Sequence, residues 1–352
     1  MKIVQLQRLL KEKNIDCALF IVEEHREPNI IYFTQLSNIT HAALLIPSSG
    51  KPTLYLSPLD YIDARKESAI KNTVLLKESL FKLLKKNHGP KSIGIDASNL
   101  SYRLSQRIKE TLPSVKISSI SDEMKTLRLV KTDEELNNMR AAASIANKAF
   151  TAINENFTFK TETEVKAALE YEMAKRGASP SFPTIVASGR NASTPHHVTS
   201  SEKLQKGFCV IDFGAAYRGY CSDCTRMLYK GNPSKQEKQL YTLLCNSQQK
   251  AIDAVRLNVS CAELDKTARK ALGKYQKFFT HSLGHGIGIE VHESPSLSSQ
   301  STDKLTKNTP FTIEPGIYIP NKLGMRIEDL FVITNKPTIL TSIPKELIKI
   351  PQ

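Results

Sequence analysis

The sequence predicts an α/β domain followed by a larger domain that mixes helices and strands. Its 352 residues suffice for about two domains at roughly 100–200 residues each. Apolar strand-like runs alternate with helical patterns up to about residue 120, which is typical of an α/β fold. Further along, long helical patterns give way to strand-like segments interrupted by glycines. We therefore predict domains at residues 1–125 and 126–352.

Apolar runs and amphipathic stretches predict the elements of the first domain. A polar, charged segment over residues 118–131 follows them, and we place the domain boundary within it. The predicted strands are 17–22, 42–46, 53–56 and 92–95, and the clearest predicted helices are 61–70 and 79–86.

Two capping boxes predict where helices of the second domain begin. Thr132 with Glu135, and Thr161 with Glu164, each place an acidic residue three positions after a threonine. Gly177 stands where the second of these helices should end. The predicted helices run to about 154 and over 165–176, 234–257 and 262–274, and the predicted strands lie at 182–188, in a hairpin over 208–229 and within 281–334.

Composition and charge exclude several classes of protein. No apolar run approaches the ~18–20 residues that cross a bilayer, and the chain begins without a signal-peptide core, so we expect a cytoplasmic protein with no membrane partner. Six scattered cysteines do not suggest a disulfide framework. The net charge of +14 comes from lysines spread along the chain, without a basic stripe or finger motif, so no specific nucleic-acid partner is expected.

Two acids in the predicted hairpin suggest a cation site. A turn centred between Tyr217 and Arg218 would set Asp212 directly opposite Asp223, on one face of the strand pair. Two such carboxylates among apolar residues repel each other at high cost unless a cation lies between them. The alternative is that one acid is exposed to solvent or paired with Arg226, and the hairpin alone leaves both interpretations open.

Three further residues extend this set. His285 lies in the string GHGIG, Glu314 in IEPG and Glu328 in RIED, each within a strand-like apolar stretch. With the hairpin acids they make four carboxylates and one imidazole, and the charge of −4 matches two divalent cations. Oxygen-rich ligands favour Mn²⁺ or similar ions over a thiolate zinc site, and bridging acids would hold two ions about 3.5–4 Å apart.

One pair of cysteines could be mistaken for a metal or redox motif. Cys221 and Cys224 form a C-x-x-C string. On a strand, however, residues three apart face opposite sides, so the two thiols should diverge. We therefore expect no cysteine site.

Several longer strings carry a family resemblance. They are FPTIVASG, followed by Pro195 and His196, then IDFGAAYRGYCSDCTR, HSLGHGIGIEVHE, IEPG and GMRIED. Over residues 132–335 they resemble the pita-bread metallopeptidases, in the branch of aminopeptidase P and prolidase. The first ~120 residues, with the string NIIYFT, are similar to the N-terminal domain of that branch. The resemblance implies a creatinase-like α/β N-terminal domain followed by an α+β pita-bread catalytic domain.

The resemblance also implies a role for each site residue. Asp212 would bind one metal ion, His285 and Glu314 the other, and Asp223 and Glu328 would bridge the two. Glu314 would also act as general base and acid. His196 and His292 would bind substrate and stabilise the oxyanion. Arg326 would orient Glu328 and neighbouring acids.

The implied activity is that of a Xaa-Pro aminopeptidase acting on proline-containing peptides, with prolidase as the alternative. Many prolidases carry an arginine just beyond the string VHE, and residues 294–310 contain none, which favours the aminopeptidase. Methionine aminopeptidases lack the α/β domain and the RIED form, and non-catalytic binding modules lose metal ligands. The expected cofactors are two divalent ions, with Mn²⁺ favoured over Co²⁺, Zn²⁺ and Fe²⁺. The family commonly forms dimers or tetramers, so a homo-oligomer is expected.

Overall fold

The computed structural model describes residues 2–23, 27–87, 89–155 and 157–351. The chain divides into two compact units, Met1–Arg128 and Leu129–Gln352. No helix among the described residues combines the length and the apolar character that crossing a membrane requires. Domain limits of 1–125 and 126–352 stay a prediction.

The first unit is an α/β structure, as predicted. Its strands are β1 (Cys17–Glu23), β2 (His41–Pro47), β3 (Thr53–Leu56), β4 (Thr73–Leu75), β5 (Ser92–Ile95) and β6 (Lys116–Ser119). They form a mixed sheet in the order β4-β3-β2-β1-β5-β6. The central strand β1 is buried along almost its whole length, which explains its continuous apolar run. The helices of this part are α1 (Lys2–Glu12), α2 (Pro28–Thr34), α3 (Tyr61–Glu67), α4 (Leu80–Asn87), α5 (Tyr102–Thr111) and α6 (Ser121–Leu129).

The structure adds elements that the sequence did not reveal. All seven residues of α2 are buried, so this short helix has no amphipathic pattern to recognise. The strands β4 and β6 lie at the edges of the sheet, are short and are only partly buried. The polar segment at 118–131, taken as the boundary, contains the helix α6.

The second unit combines helices with several antiparallel sheets, which confirms the predicted α+β character. Its helices are α7 (Asp133–Glu155), α8 (Glu162–Ala174), α9 (Lys235–Asp253) and α10 (Cys261–Leu272), with 3-10 turns at Asn191–Ser193 and Gly273–Phe278. Its strands are β7 (Ser179–Pro180), β8 (Ile185–Ser188), β9 (Gly207–Phe213), β10 (Ala215–Tyr217), β11 (Tyr220–Cys221), β12 (Cys224–Lys230), β13 (Gly284–Gly286), β14 (Glu293–Leu297), β15 (Pro310–Ile313), β16 (Gly316–Ile319), β17 (Leu323–Arg326), β18 (Asp329–Ile333), β19 (Pro337–Ile339) and β20 (Ile348–Ile350).

Side chains on the two faces of strand β9 belong to two different apolar cores. In the sheet β20-β12-β9-β8, Phe208 and Val210 of β9 face a core that α9 and α10 complete. Ile211 and Phe213 face the opposite core, with α7 and α8. Since side chains alternate along a strand, Asp212 lies on the same face as Val210, at the end of the α9 and α10 core.

Both predicted capping boxes form. The Thr132 hydroxyl accepts from the Glu135 amide at 3.3 Å, and the Glu135 carboxylate accepts from the Thr132 amide at 2.8 Å. The box at Thr161 and Glu164 is also complete, so α7 and α8 begin where the sequence predicts.

The predicted register of the hairpin is wrong by two residues. Asp212 pairs with Thr225, not with Asp223. The turn lies at Arg218 and Gly219, which both have positive φ, one residue later than the predicted centre. Continuing the observed register places Asp223 opposite Gly214, two residues from Asp212 on the same face of the pair. The two acids therefore still share a face, diagonally.

A buried arginine ties this sheet to the next. The Arg226 guanidinium is almost fully buried, and it donates to Asp329 Oδ1 at 2.6 Å and to the Glu328 carbonyl at 2.6 Å. Its carboxylate partner is thus Asp329 of β18, and the suggested pairing of Arg226 with a hairpin acid is wrong. These bonds fix β12 beside the segment that carries Glu328.

We predict that Arg226→Met lowers the free energy of unfolding of the second unit by about 3–5 kcal/mol, because the buried Asp329 carboxylate loses its buried cation and keeps only the partly exposed Lys345, 2.7 Å away. Urea denaturation followed by circular dichroism measures this loss. Arg256→Met is the matched control, since Arg256 forms an exposed ion pair with Glu263 at 3.0 Å. Its effect should stay within about 1 kcal/mol, and equal losses for both variants would contradict the prediction.

Candidate metal centre

The second unit contains a cavity of about 530 Å³. Its lining combines acidic, basic and imidazole side chains with apolar ones, including Phe182, Pro183 and Ile185. All eight site residues predicted from the sequence line it, namely His196, Asp212, Asp223, His285, His292, Glu314, Arg326 and Glu328.

Strand ends bring the acids together. Asp212 lies near the end of β9, and Asp223 immediately precedes β12. Glu314 follows β15 directly, and Glu328 lies between β17 and β18. Side chains at strand ends can point into a shared cavity while the strands themselves stay in the apolar core.

Three of the residues form a compact ligand set. One ligand atom from each of Asp223, His285 and Glu328 lies within 4.8 Å of the others. The His285 Nδ1 atom is 3.0 Å from the Gly286 carbonyl, to which it can only donate. The Nε2 atom faces the cavity, 3.3 Å from Glu314 Oε1 and 3.7 Å from Asp223 Oδ2, and in the neutral form of the ring this atom would carry the lone pair that binds a cation.

The donor set fits cations. Within the described part of the chain, three buried carboxylate oxygens have no hydrogen-bond partner: Asp212 Oδ1, Asp223 Oδ1 and Glu328 Oε1. All three belong to this cavity. Buried acceptors without a donor are costly, and oxygens from several acids in one place are the ligands that hard divalent ions prefer.

The pKa shifts of the acids also indicate a cation site. Burial raises the pKa of Asp223 and Glu328 well above the usual range, and repulsion from neighbouring carboxylates adds to the effect. Burial also raises the pKa of Asp212, although Arg326 opposes this shift. For Glu314, burial acts in the same direction, but the His285 ring and nearby positive charge hold its pKa below the usual range. The positively charged side chains of the protein alone do not balance the negative charge of these four carboxylates.

Glycines allow the backbone around the centre to pack closely. A side chain at Gly284 would collide with the Thr312 carbonyl, and one at Gly286 with the Ser294 carbonyl. The strand that carries His285 is therefore clamped between its two neighbours, β14 and β15. Only glycine, which has no side chain, allows so close an approach at these two positions.

Arg326 is at the centre of a hydrogen-bond network. Its guanidinium donates to Asp212 Oδ2 at 2.6 Å, to the Tyr318 hydroxyl at 2.7 Å and to the Thr225 hydroxyl at 3.1 Å. The Thr225 hydroxyl in turn donates to Glu328 Oε2 at 2.8 Å. Arg326 thus contacts Asp212 directly and reaches Glu328 through Thr225, a residue that the sequence analysis overlooked.

The structure places two predicted histidines, and one that was not predicted, around the centre. His196 and His292 line the cavity with exposed side chains, and the His292 ring centroid is 4.4 Å from that of His285. Partial burial, together with the nearby His285, lowers the pKa of His292. His281 lies 3.0 Å from the Tyr318 hydroxyl. It stands within the string HSLGHG, which is the signal that could have identified it.

A buried ion pair supports the loop that carries His292. Lys131 Nζ lies 2.9 Å from Glu293 Oε2, and both side chains are at most 5% exposed. The other Glu293 oxygen accepts from the amides of Ile289 and Glu290, at 3.0 and 3.1 Å. This pair fixes the backbone on both sides of His292.

The cysteines of the C-x-x-C string have separate surroundings. The thiols of Cys221 and Cys224 lie near the carbonyls of Ile289 and Glu328, at 3.3 and 3.7 Å. Burial raises the pKa of Cys224 well above the usual range. The two thiols therefore have different neighbours, and the Cys224 thiol does not favour the thiolate form.

An acid-rich centre in an α+β domain that follows an α/β domain defines a metal-dependent hydrolase. Residues 137–335 match metallopeptidase family M24, and residues 2–130 match the Creatinase/Prolidase N-terminal domain. The chain belongs to metallopeptidase family M24. The predicted creatinase-like and pita-bread domains are thereby confirmed, and members of this family are dinuclear metal enzymes.

Full-length relatives support this assignment. A Xaa-Pro dipeptidase from Pyrococcus horikoshii is 36% identical over 99% of this chain and 98% of its own. The solved structure of an X-Pro aminopeptidase from Thermotoga maritima is 32% identical, with a TM-score of 0.89 over 97% of this chain and 100% of that one. A Xaa-Pro dipeptidase structure from Bacillus anthracis is 33% identical, with a TM-score of 0.90 over 99% of both chains.

We predict that Glu328→Ala reduces bound Mn²⁺ from about two ions per chain to at most one, because it removes a buried carboxylate oxygen that has no hydrogen-bond partner and is available to a cation. Elemental analysis after reconstitution and desalting measures the ratio. Glu237→Gln is the control, since it changes a carboxylate outside the cavity and glutamine can keep its capping box with Ser234. Two ions retained by a folded Glu328→Ala chain would contradict the prediction.

Proposed function

We propose that this protein is a Xaa-Pro dipeptidase, which hydrolyses the peptide bond before a proline. The observation that carries the proposal is that one cavity is lined both by the acid-rich centre and by the apolar side chains of Phe182, Pro183 and Ile185. Apolar side chains suit a pyrrolidine ring beside the scissile bond. Relatives matched along their full length and named Xaa-Pro dipeptidase support the same substrate class.

A Xaa-Pro aminopeptidase is the second candidate. Two observations favour it: the structural similarity to the Thermotoga maritima X-Pro aminopeptidase, and the lack of an arginine within residues 294–310. The cavity of about 530 Å³ also has room for a peptide longer than two residues.

For the metal centre, we propose the ligands implied by the family resemblance. Asp212 would hold one ion, His285 and Glu314 the other, and Asp223 and Glu328 would bridge them. The unpartnered oxygens of Asp212, Asp223 and Glu328 support this assignment. When bound, the two ions would supply Lewis acidity toward water and toward the peptide carbonyl.

The proposed roles of the other residues follow from their positions. Glu314, with its lowered pKa, stays ionised and can accept a proton from the attacking water, then pass it to the departing proline nitrogen. His196 and His292 are exposed within the cavity, where they can donate to the carbonyl oxygen as negative charge develops. Arg326 holds Asp212 in place through its 2.6 Å bond.

The remaining proposals concern the state of the protein. We propose Mn²⁺ as the native metal because four carboxylates and one imidazole suit a hard-to-borderline ion. We further propose a cytoplasmic homo-oligomer, dimeric or tetrameric. Metal analysis of the purified native protein tests the proposed metal, and light scattering tests the proposed oligomeric state.

We predict that His292→Ala keeps two metal ions and loses about 10²–10³ in kcat, the usual cost of removing one oxyanion donor. Turnover of Ala-Pro at saturating Mn²⁺ measures the loss, with elemental analysis in parallel. A metal ligand would behave differently, because excess Mn²⁺ would restore activity. Near-normal turnover on Mn²⁺ titration would therefore show that His292 binds metal.

The substrate class is tested by assaying Ala-Pro and Ala-Pro-Ala side by side with the Mn²⁺-loaded protein. The dipeptidase proposal expects kcat/KM for Ala-Pro to exceed that for Ala-Pro-Ala by at least about tenfold. A preference for the tripeptide would establish the aminopeptidase instead. Ala-Ala serves as the control for proline specificity, and hydrolysis of none of the three would overturn both candidates.

A further inference from the structure

One fully buried acid lies outside the metal centre and has no part in the proposed mechanism. Glu162 is the first residue of α8, and its side chain has no solvent exposure. A carboxylate is seldom buried completely unless its charge is well satisfied, because removing it from water is costly. An acid that only favours the start of a helix has no need of burial, since it acts equally well at the surface. The burial of Glu162 therefore points to a further role.

Both carboxylate oxygens of Glu162 are held by hydrogen-bond donors. Oε1 accepts from the amide and the hydroxyl of Ser188, at 2.8 and 2.9 Å, and from the Asn191 side chain at 3.0 Å. Oε2 lies 2.9 Å from His197 Nε2 and accepts from the amide and the hydroxyl of Ser200, at 3.3 and 3.2 Å. Unlike three acids of the metal centre, Glu162 therefore leaves neither oxygen available to a cation.

These hydrogen bonds also keep Glu162 ionised. Burial opposes ionisation, but the donors outweigh it and hold the pKa of Glu162 below its usual range. Hydrogen bonds to an ionised acceptor are about twice as strong as those between neutral groups. The carboxylate is thus a strong anchor for the residues that donate to it.

The donors all belong to residues 188–200, the segment that carries His196. Apart from the 3-10 turn at Asn191–Ser193, residues 189–200 lie outside helices and strands. His196 itself is exposed within the cavity, so packing of its own ring does little to fix it. The position of His196 therefore depends on how its neighbours are held.

Both chain neighbours of His196 are anchored. On one side, the Pro195 carbonyl accepts from the Arg326 guanidinium at 3.4 Å. On the other, the His197 ring lies 2.9 Å from Glu162. Consecutive Cα atoms are only about 3.8 Å apart, so two such anchors leave His196 little room to move. The Arg326 anchor belongs to the network at the metal centre, whereas Glu162 supplies a second anchor from helix α8.

We propose that Glu162 is a positioning residue for catalysis, which holds residues 188–200 so that the His196 ring is directed at the substrate carbonyl. This rests on the proposed function, in which His196 stabilises the oxyanion, and it applies to the dipeptidase and the aminopeptidase alike. Glu162 is not part of the described lining of the cavity, so it acts through His196 and not on the substrate. A donor misplaced by about 1 Å loses much of its effect on the transition state.

The test is a double-mutant cycle in the Mn²⁺-loaded full chain, with Glu162→Gln, His196→Ala and the double variant. Glutamine keeps the size of the side chain but replaces one acceptor oxygen with an NH₂ group, so part of the anchor is lost. Glu162→Gln should lower kcat by about ten- to hundredfold, with KM within about threefold and two metal ions retained. In the His196→Ala background the same substitution should lower kcat by less than about twofold, because the ring that it positions is gone.

The substrate for the cycle is Ala-Pro, or Ala-Pro-Ala if the unmodified protein prefers it. Glu164→Gln is the matched control, since it changes an exposed acid of the same helix and glutamine can keep the capping box with Thr161. Its kcat should stay within about twofold of the unmodified protein, as expected for a surface substitution.

Two results would overturn the proposal. Equal losses of kcat in both backgrounds would show a general loss of structure instead of an effect through His196. Unchanged kcat, or loss of metal, in a folded Glu162→Gln chain would exclude the positioning role as well. Failure of the unmodified protein to cleave either peptide would instead refute the proposed function.

A second variant covers the case in which Glu162→Gln does not fold. Ser200→Ala removes one donor of the same anchor from the side of the segment. It should lower kcat by about threefold or more, as expected for one hydrogen bond, and only where His196 is present. The same loss without His196, or no loss at all, would contradict the proposal.

Discussion

Mutual repulsion among buried carboxylates is the constraint around which the second unit is built. Four acids enter one cavity, and burial together with their neighbours raises the pKa of Asp223 and Glu328. An apolar core gains nothing from such a cluster, so its position must be enforced by the surrounding structure. Buried arginines do part of this: Arg326 holds Asp212 directly, and Arg226 fixes the backbone at Glu328. Bound cations must supply the remaining stabilisation of the acids.

The scaffold meets this constraint with rigid elements rather than flexible loops. Each acid stands at or beside a strand end, and glycines let the neighbouring backbones approach closely around His285. Support also comes from outside the sheet, because Lys131 and Glu293 hold the loop around His292. The geometry of the cavity therefore depends on the surrounding packing as well as on the acids themselves, which is the general requirement for a preorganised site.

Much of this could be predicted from the sequence, and the failures have physical causes. Capping boxes and apolar runs located most helices and strands because they report local interactions. The five proposed ligands stood out because carboxylate and imidazole side chains among apolar residues are rare. The hairpin register failed because Arg218 adopts positive φ, which arginine seldom does, so Gly219 alone marked the turn and did not fix its centre. Thr225, Tyr318 and Lys131 escaped notice because their partners are distant in sequence and leave no local pattern.

Strand β9 has a consequence for how this chain tolerates mutation. It contributes Val210 to one apolar core and Ile211 to the other, and Asp212 follows directly. Close packing transmits a defect in either core along the same short stretch of backbone to an acid that lines the cavity. Core substitutions far from the cavity are therefore selected against for activity as well as for stability.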